Sequence, residues 1–565
     1  MFLNRSKGRS RARLLAAAAV AAGLTLTACS GSGSGTTGSA TEANTLVAYT
    51  SQSGDYQLNF NPTSPSQIGG IGTIYESLFF LTNVNNDPAT PLLGTDYSWN
   101  ADGTQLDVTL RDSVTWSDGQ PFTADDVKFT FDLALKTPAI NSSGFDGTVT
   151  VTDPTHVVFT WTHPAYANAP FVLGKTPILP AHIWKDLDPT TSLNENPVGT
   201  GPYTLGSFKP QAFTLVANPN YWGGEPKVKA IRYLSLSGNT AGADALAAGT
   251  IDWQTGPVPD IANVSENYPG YGAITVPQNQ IALVTCSSVA LGCTGPQTDP
   301  AARQAIYYAL NRDQINSLAF QGTAGDISPT FALPTTQQQF ISTSIADPIA
   351  SNSPDIAQSD RILTAAGYVK GADGIYAKDG QRLSLTIEVV TGWTDYITAI
   401  DTMVQQLKAA GIELTPSQSS WNEWTEKKAK GTYQLAIDSL GQGPVSNPYF
   451  LYNNYFSSGN TAPVGTAAST NIARFSDPVV DQALAVLKVT NPEDTATTQA
   501  QFDIIQQQIV ANMPYIPVAT GGTTSEFNAK KFTGWPTLDN LFAFPAVWAA
   551  PDSAQVIKAL VPTGE

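Results

Sequence analysis

Hydrophobic and polar positions change period several times along this chain, and each change marks an element. Leu106, Val108 and Leu110 alternate with polar residues, the spacing of a half-buried strand. Ser117-Asp118-Gly119 follows as a turn, with Gly free to take a positive φ. Thr123 offers a hydroxyl N-cap and Asp126 stands three residues on, the spacing of a capping box. Asp125 and Asp126 also suit the positive end of a helix dipole. Val127, Phe131 and Leu135 predict one buried helix face. Residues 149–161 alternate again and are broken by Asp153-Pro154, which predicts a hairpin. Residues 46–49 read as a short strand, and 245–253 as helix, Gly stop and strand.

The second half keeps this rhythm. Asp299 is an N-cap with Pro300 at the first helical position, and Ala302, Ile306, Ala309 and Leu310 predict the core face of one helix. Leu383, Leu385, Ile387 and Val389 alternate as a strand. Thr394 is placed to cap a helix over 395–410 that Gly411 closes, and Ile412 and Leu414 open another strand. Strand–helix–strand order implies a mixed α/β lobe. No fixed-period repeat is present.

Composition adds a compartment. Arg5, Lys7, Arg9, Arg11 and Arg13 precede an apolar stretch at 14–26, a signal-peptide pattern without a twin-Arg pair, which implies Sec export. Leu26-Thr27-Ala28-Cys29 reads as a lipobox, with Cys29 lipidated as the mature N-terminus. Residues 30–44 are Gly/Ser/Thr-rich and read as a flexible tether. From Cys29 onward 24 Lys+Arg face 46 Asp+Glu, a formal charge of −22, which argues against a nucleic-acid partner. Cys286 and Cys293 form an even pair around a small Gly-containing loop; a disulfide is expected in an oxidising compartment, with free buried thiols as the alternative. Three scattered His and these Cys show no metal-ligand spacing, so no metal or cofactor is expected.

The string LRDSVTWSDGQPFTADDVKFTF at 110–131 resembles the core motif of the oligopeptide-type (family 5) solute-binding proteins of bacterial ABC importers. NPVGTGPY at 196–203, NPNYWGGEPKV at 218–228, AARQAIYYALNRDQI at 301–315 and NMPYIP at 512–517 carry the same resemblance over nearly the whole mature chain. Residues 67–80 resemble the family's first helix, which ends near the ligand cleft. The resemblance implies a periplasmic-binding-protein-like fold (type II, cluster C): a mixed α/β chain with two main lobes, a third extra lobe and a hinged cleft. Carried over, 1–28 is the lipoprotein signal peptide and 29–43 the tether; 44–85, 200–281 and 528–565 build lobe I, 86–199 lobe II and 282–527 lobe III. The implied role is capture of an oligopeptide-type solute outside the cell, by a monomer anchored to the membrane's outer face, and delivery to a permease pair with ATPase subunits. No catalysis is implied.

The solute is less legible. Peptide binders of this family place an Asp in the stretch matching 433–450 to pair the peptide ammonium; here Gln442 and Gly443 stand there, and Asn447-Pro448 replaces Asp-Pro, leaving Asp438 as a substitute. Amides such as Gln442, Asn447, Asn453 and Asn454, with Trp393, Trp421 and Trp424, suit an oligosaccharide instead. Packing is the ordinary role of each such Trp. By resemblance and loop position, the ligand-binding candidates are Tyr49, Tyr75, Trp393, Trp421, Gln442 and Asn447. An exported glycoside hydrolase or a surface receptor would be the alternatives from other classes; no GxSxG elbow is present for a serine hydrolase.

Overall fold

Two long strands, Tyr271–Thr285 and Tyr515–Asn528, run antiparallel through the middle of a ten-stranded sheet. The first alternates buried and half-buried positions from Ile274 to Asn279 and is then buried continuously, so it passes from a sheet with one covered face into a core. The pair runs in register from Tyr271↔Asn528 to Val284↔Tyr515, with irregularities at Pro277/Asn279 and Ile281/Ala282. A computed structural model describes residues 44–53, 55–64 and 66–564. The signal peptide, Cys29 and the tether lie outside the described residues.

Each end of this crossing pair carries its own parallel set. At one end Trp253–Thr255 pairs antiparallel with the second long strand, Thr255 opposite Ser525, and is followed outward by Thr45–Ser53 and Ala230–Leu236. At the other end Leu435–Leu440 pairs antiparallel with the first long strand, Leu440 opposite Gln280, and is followed by Ser384–Val390 and Glu413–Ser419. Both sets therefore aim their carboxyl ends at the middle of the crossing pair. Separate apolar cores accompany the two ends, one around Leu46, Phe213, Ile231 and Trp253, the other around Leu283, Ile306, Ile387 and Ile437. The mixed α/β class implied by the resemblance is the class observed.

A third core belongs to a four-stranded antiparallel sheet of Gly94–Trp99, Gln105–Leu110, His156–Thr160 and Thr148–Asp153. The capped helix Ala124–Lys136 packs on it. Asp126 is the hub: its carboxylate accepts from Thr123 N (3.0 Å), Ala181 N (2.9 Å) and Trp116 Nε1 (3.3 Å). The buried face of that helix is Ala124, Val127, Thr130, Phe131 and Ala134, while Leu135 is exposed. The i, i+4, i+7 positions stay on one face, and the i+8 position rotates off it.

Several local expectations are corrected. Residues 67–80 are not helical: they form turns around an Ile71–Tyr75 bridge and end in the short strand Phe79–Phe80. Gly69 and Gly72 take φ of +48° and +79°, and Gly201 N and Tyr203 N bond the carbonyls of Ile74 and Thr73, so the backbone is engaged outside any helix. The stretch from Pro300 is two helices, Pro300–Ala309 and Arg312–Ala319, because Asn311 caps a second one through Gln314 N (2.9 Å). Thr394 is the first residue of the helix Thr394–Ala409 and not its cap. The aromatic string at 221–222 is structural: Tyr221 Oη and Trp222 Nε1 donate to the buried Glu76 carboxylate at 2.7 and 2.8 Å, joined by Thr200 Oγ1 at 3.1 Å. Cys286 and Cys293 are disulfide-bonded, with Cα atoms 5.5 Å apart.

Candidate ligand cleft

In open α/β sheets, ligands bind in the crevice outside the carboxyl ends of the strands. Here two such sets converge on the segment Val276-Pro277-Gln278 of the crossing pair, and that segment lines a cavity of about 570 Å³. Asn83, Asn85 and Asn86, Thr336, and Leu538–Phe542 complete most of its wall. Among the described residues no Lys, Arg or His lines it, and its two carboxylates, Asp87 and Asp539, are exposed.

Carboxamides organise this wall. Asn83 Nδ2 donates to Gly443 O (2.7 Å), and Asn83 Oδ1 accepts from Gln278 Nε2. Asn86 Nδ2 donates to Thr336 O (3.0 Å), and Ser446 Oγ bonds the same carbonyl (3.3 Å). Gln337 Nε2 donates to Gln442 Oε1 (3.2 Å), while Gln280 Nε2 donates to Phe331 O (2.5 Å). Among the described residues Thr336 Oγ1 of this lining is buried without a hydrogen-bond partner, and so are Gln442 Nε2 and Gln280 Oε1, which belong to the adjoining network and do not line the cavity. Leu440, two residues before Gln442, lies directly opposite Gln280. An orphan donor, an orphan acceptor and a hydroxyl that can do either, none charged, can hydrogen-bond a neutral polar ligand; leaving each unpaired costs about 1–3 kcal/mol.

The other nominated residues spread out. Trp393 and Trp421 follow the carboxyl ends of Ser384–Val390 and Glu413–Ser419, the same sheet edge that presents Gln442. They form a cluster with the buried Trp424, ring centroids 5.0 to 5.6 Å apart, in which Trp421 remains 55 % exposed. They do not line the 570 Å³ cavity. Tyr49 is buried beneath the helix Asn239–Ala247. Tyr75 is buried in the core around Phe213, its hydroxyl accepting from Asn194 Nδ2 at 2.5 Å. Asn447 caps the helix Pro448–Phe456 through Tyr449 N (2.9 Å) and faces a different, apolar cavity. Asp438 is already paired with Lys428, whose ammonium sits 3.3 Å from the centre of the Trp424 ring. Burial lowers the Lys428 pKa, and Asp438 opposes that shift.

Asn83, Gln278, Gln280 and Gln337 were not singled out from the sequence. A signal was available for two of them: PQNQ at 277–280 is a polar run inside an otherwise apolar strand. Such a run is tolerated in a buried strand only where the side chains meet partners or a ligand.

Residues 89–462 match the bacterial extracellular solute-binding proteins, family 5 (middle region). The chain is similar to protein XP55 of Streptomyces lividans, at 30 % identity with 73 % of this chain and 72 % of the relative covered. It is also similar to the oligopeptide-binding protein OppA of Lactococcus lactis, at 23 % identity over 79 % and 78 % of the two chains. Among solved structures, a periplasmic oligopeptide-binding protein of an oligopeptide ABC transporter from Thermotoga maritima superposes with a TM-score of 0.84 at 25 % identity, covering 92 % of this chain and 99 % of that one. A mannohexaose-bound structure of such a protein from the same organism gives a TM-score of 0.77 at 25 % identity, covering 93 % and 99 %. With a cleft at the convergence of two strand sets and a family match across well over half its length, this chain belongs to the bacterial extracellular solute-binding proteins of family 5.

Proposed function

We propose that the protein captures an oligopeptide-type solute outside the cell and delivers it to an ABC permease pair served by ATPase subunits. The observation that carries this reading is the cavity at the middle of the crossing strands, lined by the carboxamides of Asn83, Asn85, Asn86 and Gln278 and by the unpaired hydroxyl of Thr336. An extended oligomer can bond such a wall through its own amides. The lobes are those given by the resemblance, 44–85 with 200–281 and 528–565 facing 282–527, and they close about the crossing pair. Gln442 with Asn83, Gln278 and Gln280 are the ligand-binding residues, and Trp393 and Trp421 extend the surface along the same edge.

An oligosaccharide is the second reading. It is favoured by the pairing of Asp438 with Lys428, which occupies the carboxylate nearest to the place of a peptide's amine anchor. Orphan amides and an exposed Trp face also suit hydroxyls and sugar C–H surfaces. A thermal-shift screen of the purified protein separates the two, using di- to pentapeptide pools against α- and β-linked oligosaccharides. A ligand at 100 times its Kd stabilises the fold by about 2.7 kcal/mol. A hit from one pool that Gln278→Leu abolishes identifies the class; a hit that Gln278→Leu leaves unchanged removes this cavity as the site.

Cys29 is the lipid attachment point in this reading, on the strength of the LTAC string. Cys29→Ala should move the protein from the membrane fraction to the soluble one with solute binding intact. Retention of the variant in the membrane fraction would exclude the anchor.

A further inference from the structure

A second cavity, of about 540 Å³, lies behind the cleft and differs from it in chemistry. Two bodies build it. Tyr166 to Pro170 come from the segment packed on the four-stranded sheet, and the remaining walls come from the core that holds Leu487 and Phe502. Four of its rings form two edge-to-face pairs, Phe340–Phe502 at 5.4 Å and Tyr449–Phe450 at 5.2 Å. Among the described residues none that lines it is charged; the polar groups are amides and hydroxyls, among them Asn447, Gln499 and Thr498.

Residues 443–447 contribute to both surroundings. Gly443 O and Ser446 Oγ belong to the cleft network through Asn83 and Thr336, whereas Val445 and Asn447 line the apolar chamber. The two cavities share no lining residue. Its size falls in the range of small-molecule sites, and a mostly apolar lining that includes five aromatic rings, with a few polar groups at a boundary between two bodies, is the usual make-up of such a site. Rings arranged edge-to-face present both faces and edges to an incoming ring, which favours an aromatic guest over a plain alkyl chain.

We propose that this chamber is a second binding site, for an uncharged aromatic small molecule, separate from the solute cleft. Because its walls come from two bodies, the guest bridges them. The proposal does not depend on whether the cleft takes a peptide or a sugar.

The test uses N-phenyl-1-naphthylamine, an uncharged aromatic probe that brightens in apolar surroundings, titrated into the purified protein. Saturable binding of one probe per chain is expected. Ala167→Phe and Thr498→Phe fill the chamber from different elements, and each should weaken the probe by about tenfold or more. The melting temperature of each variant, checked first, shows that it is folded; two variants keep the test open if one is not. Failure of the parent protein to bind the probe overturns the proposal. So does binding that both folded variants leave unchanged, since the probe would then sit elsewhere, the solute cleft included.

Discussion

Glu526 shows how much a single buried group can govern. It stands directly opposite Gln254, which in turn stands beside Tyr49, so three polar side chains form a row across adjacent strands. Among the described residues, both Glu526 oxygens, Gln254 Oε1 and Tyr49 Oη are buried without a close hydrogen-bond partner. Burial pushes the Glu526 carboxyl up to about 8, and the neighbouring Gln254 offsets only part of that. In the unfolded chain a Glu titrates near ~4.3. Between these values the folded protein holds a proton that the unfolded chain has released. Stability therefore falls as pH rises through that window, by about 1.4 kcal/mol per pH unit at its steepest, and levels off above about 8. Glu526→Gln should remove this slope. Melts at pH 5, 7 and 8.5 should show the variant drawing ahead of the parent as pH rises; parallel curves would place the carboxyl in contact with water. The same scale explains what the sequence disclosed of the cleft. Gln442 was legible because the resemblance implied an acid at its place, but its partner Gln337 is distant in sequence and ordinary in type.

Elements were more legible than residues wherever the cause was local. The strand–turn–capped-helix around Asp126, the hairpin at Asp153-Pro154 and the Asp299-Pro300 helix start all follow from nearest-neighbour chemistry, and all are present. Residues 67–80 were misread because their conformation is set from outside. Gly199 and Gly201 pack so closely on Ile74 and Thr73 that an added Cβ would meet their carbonyl oxygens at 1.9 and 2.4 Å. Long-range packing of that kind leaves no periodic trace. The disulfide element is the intermediate case: its spacing was visible, and its pairing needed the fold. Cys286 directly follows the first crossing strand, and the bridge closes a loop of seven residues' separation around a turn at Val289–Leu291. Constraining so short a loop in the unfolded chain is worth about 2–3 kcal/mol. The double Cys286→Ala/Cys293→Ala variant should lose that much in urea unfolding while keeping solute affinity, because the loop lies outside the cleft. A loss of affinity at unchanged stability would contradict this placement.

At the scale of the whole molecule, the crossing pair divides the protein into halves that meet again across the cleft. Hydrogen bonds already span that gap: Asn83 reaches Gly443 O, and Asn86 reaches Thr336 O. Both donors belong to the segment following Phe79–Phe80, and both acceptors to the half that holds Leu435–Leu440. These contacts exist only when the halves are together, so they bias the unliganded protein toward closure in the way a ligand does. Each contributes on the order of 1 kcal/mol. Removing one should shift the free protein toward open forms and lower the apparent affinity by the fraction of closed form lost. Asn83→Ala is the sharper choice, because Asn83 also receives Gln278 from the crossing strand itself. Small-angle scattering of the free variant should give a larger radius of gyration than the parent, and saturating solute should bring the two together. An affinity loss of about five- to tenfold should accompany it. Equal radii in the free state, with affinity still reduced, would make Asn83 a ligand contact alone and leave closure to the solute.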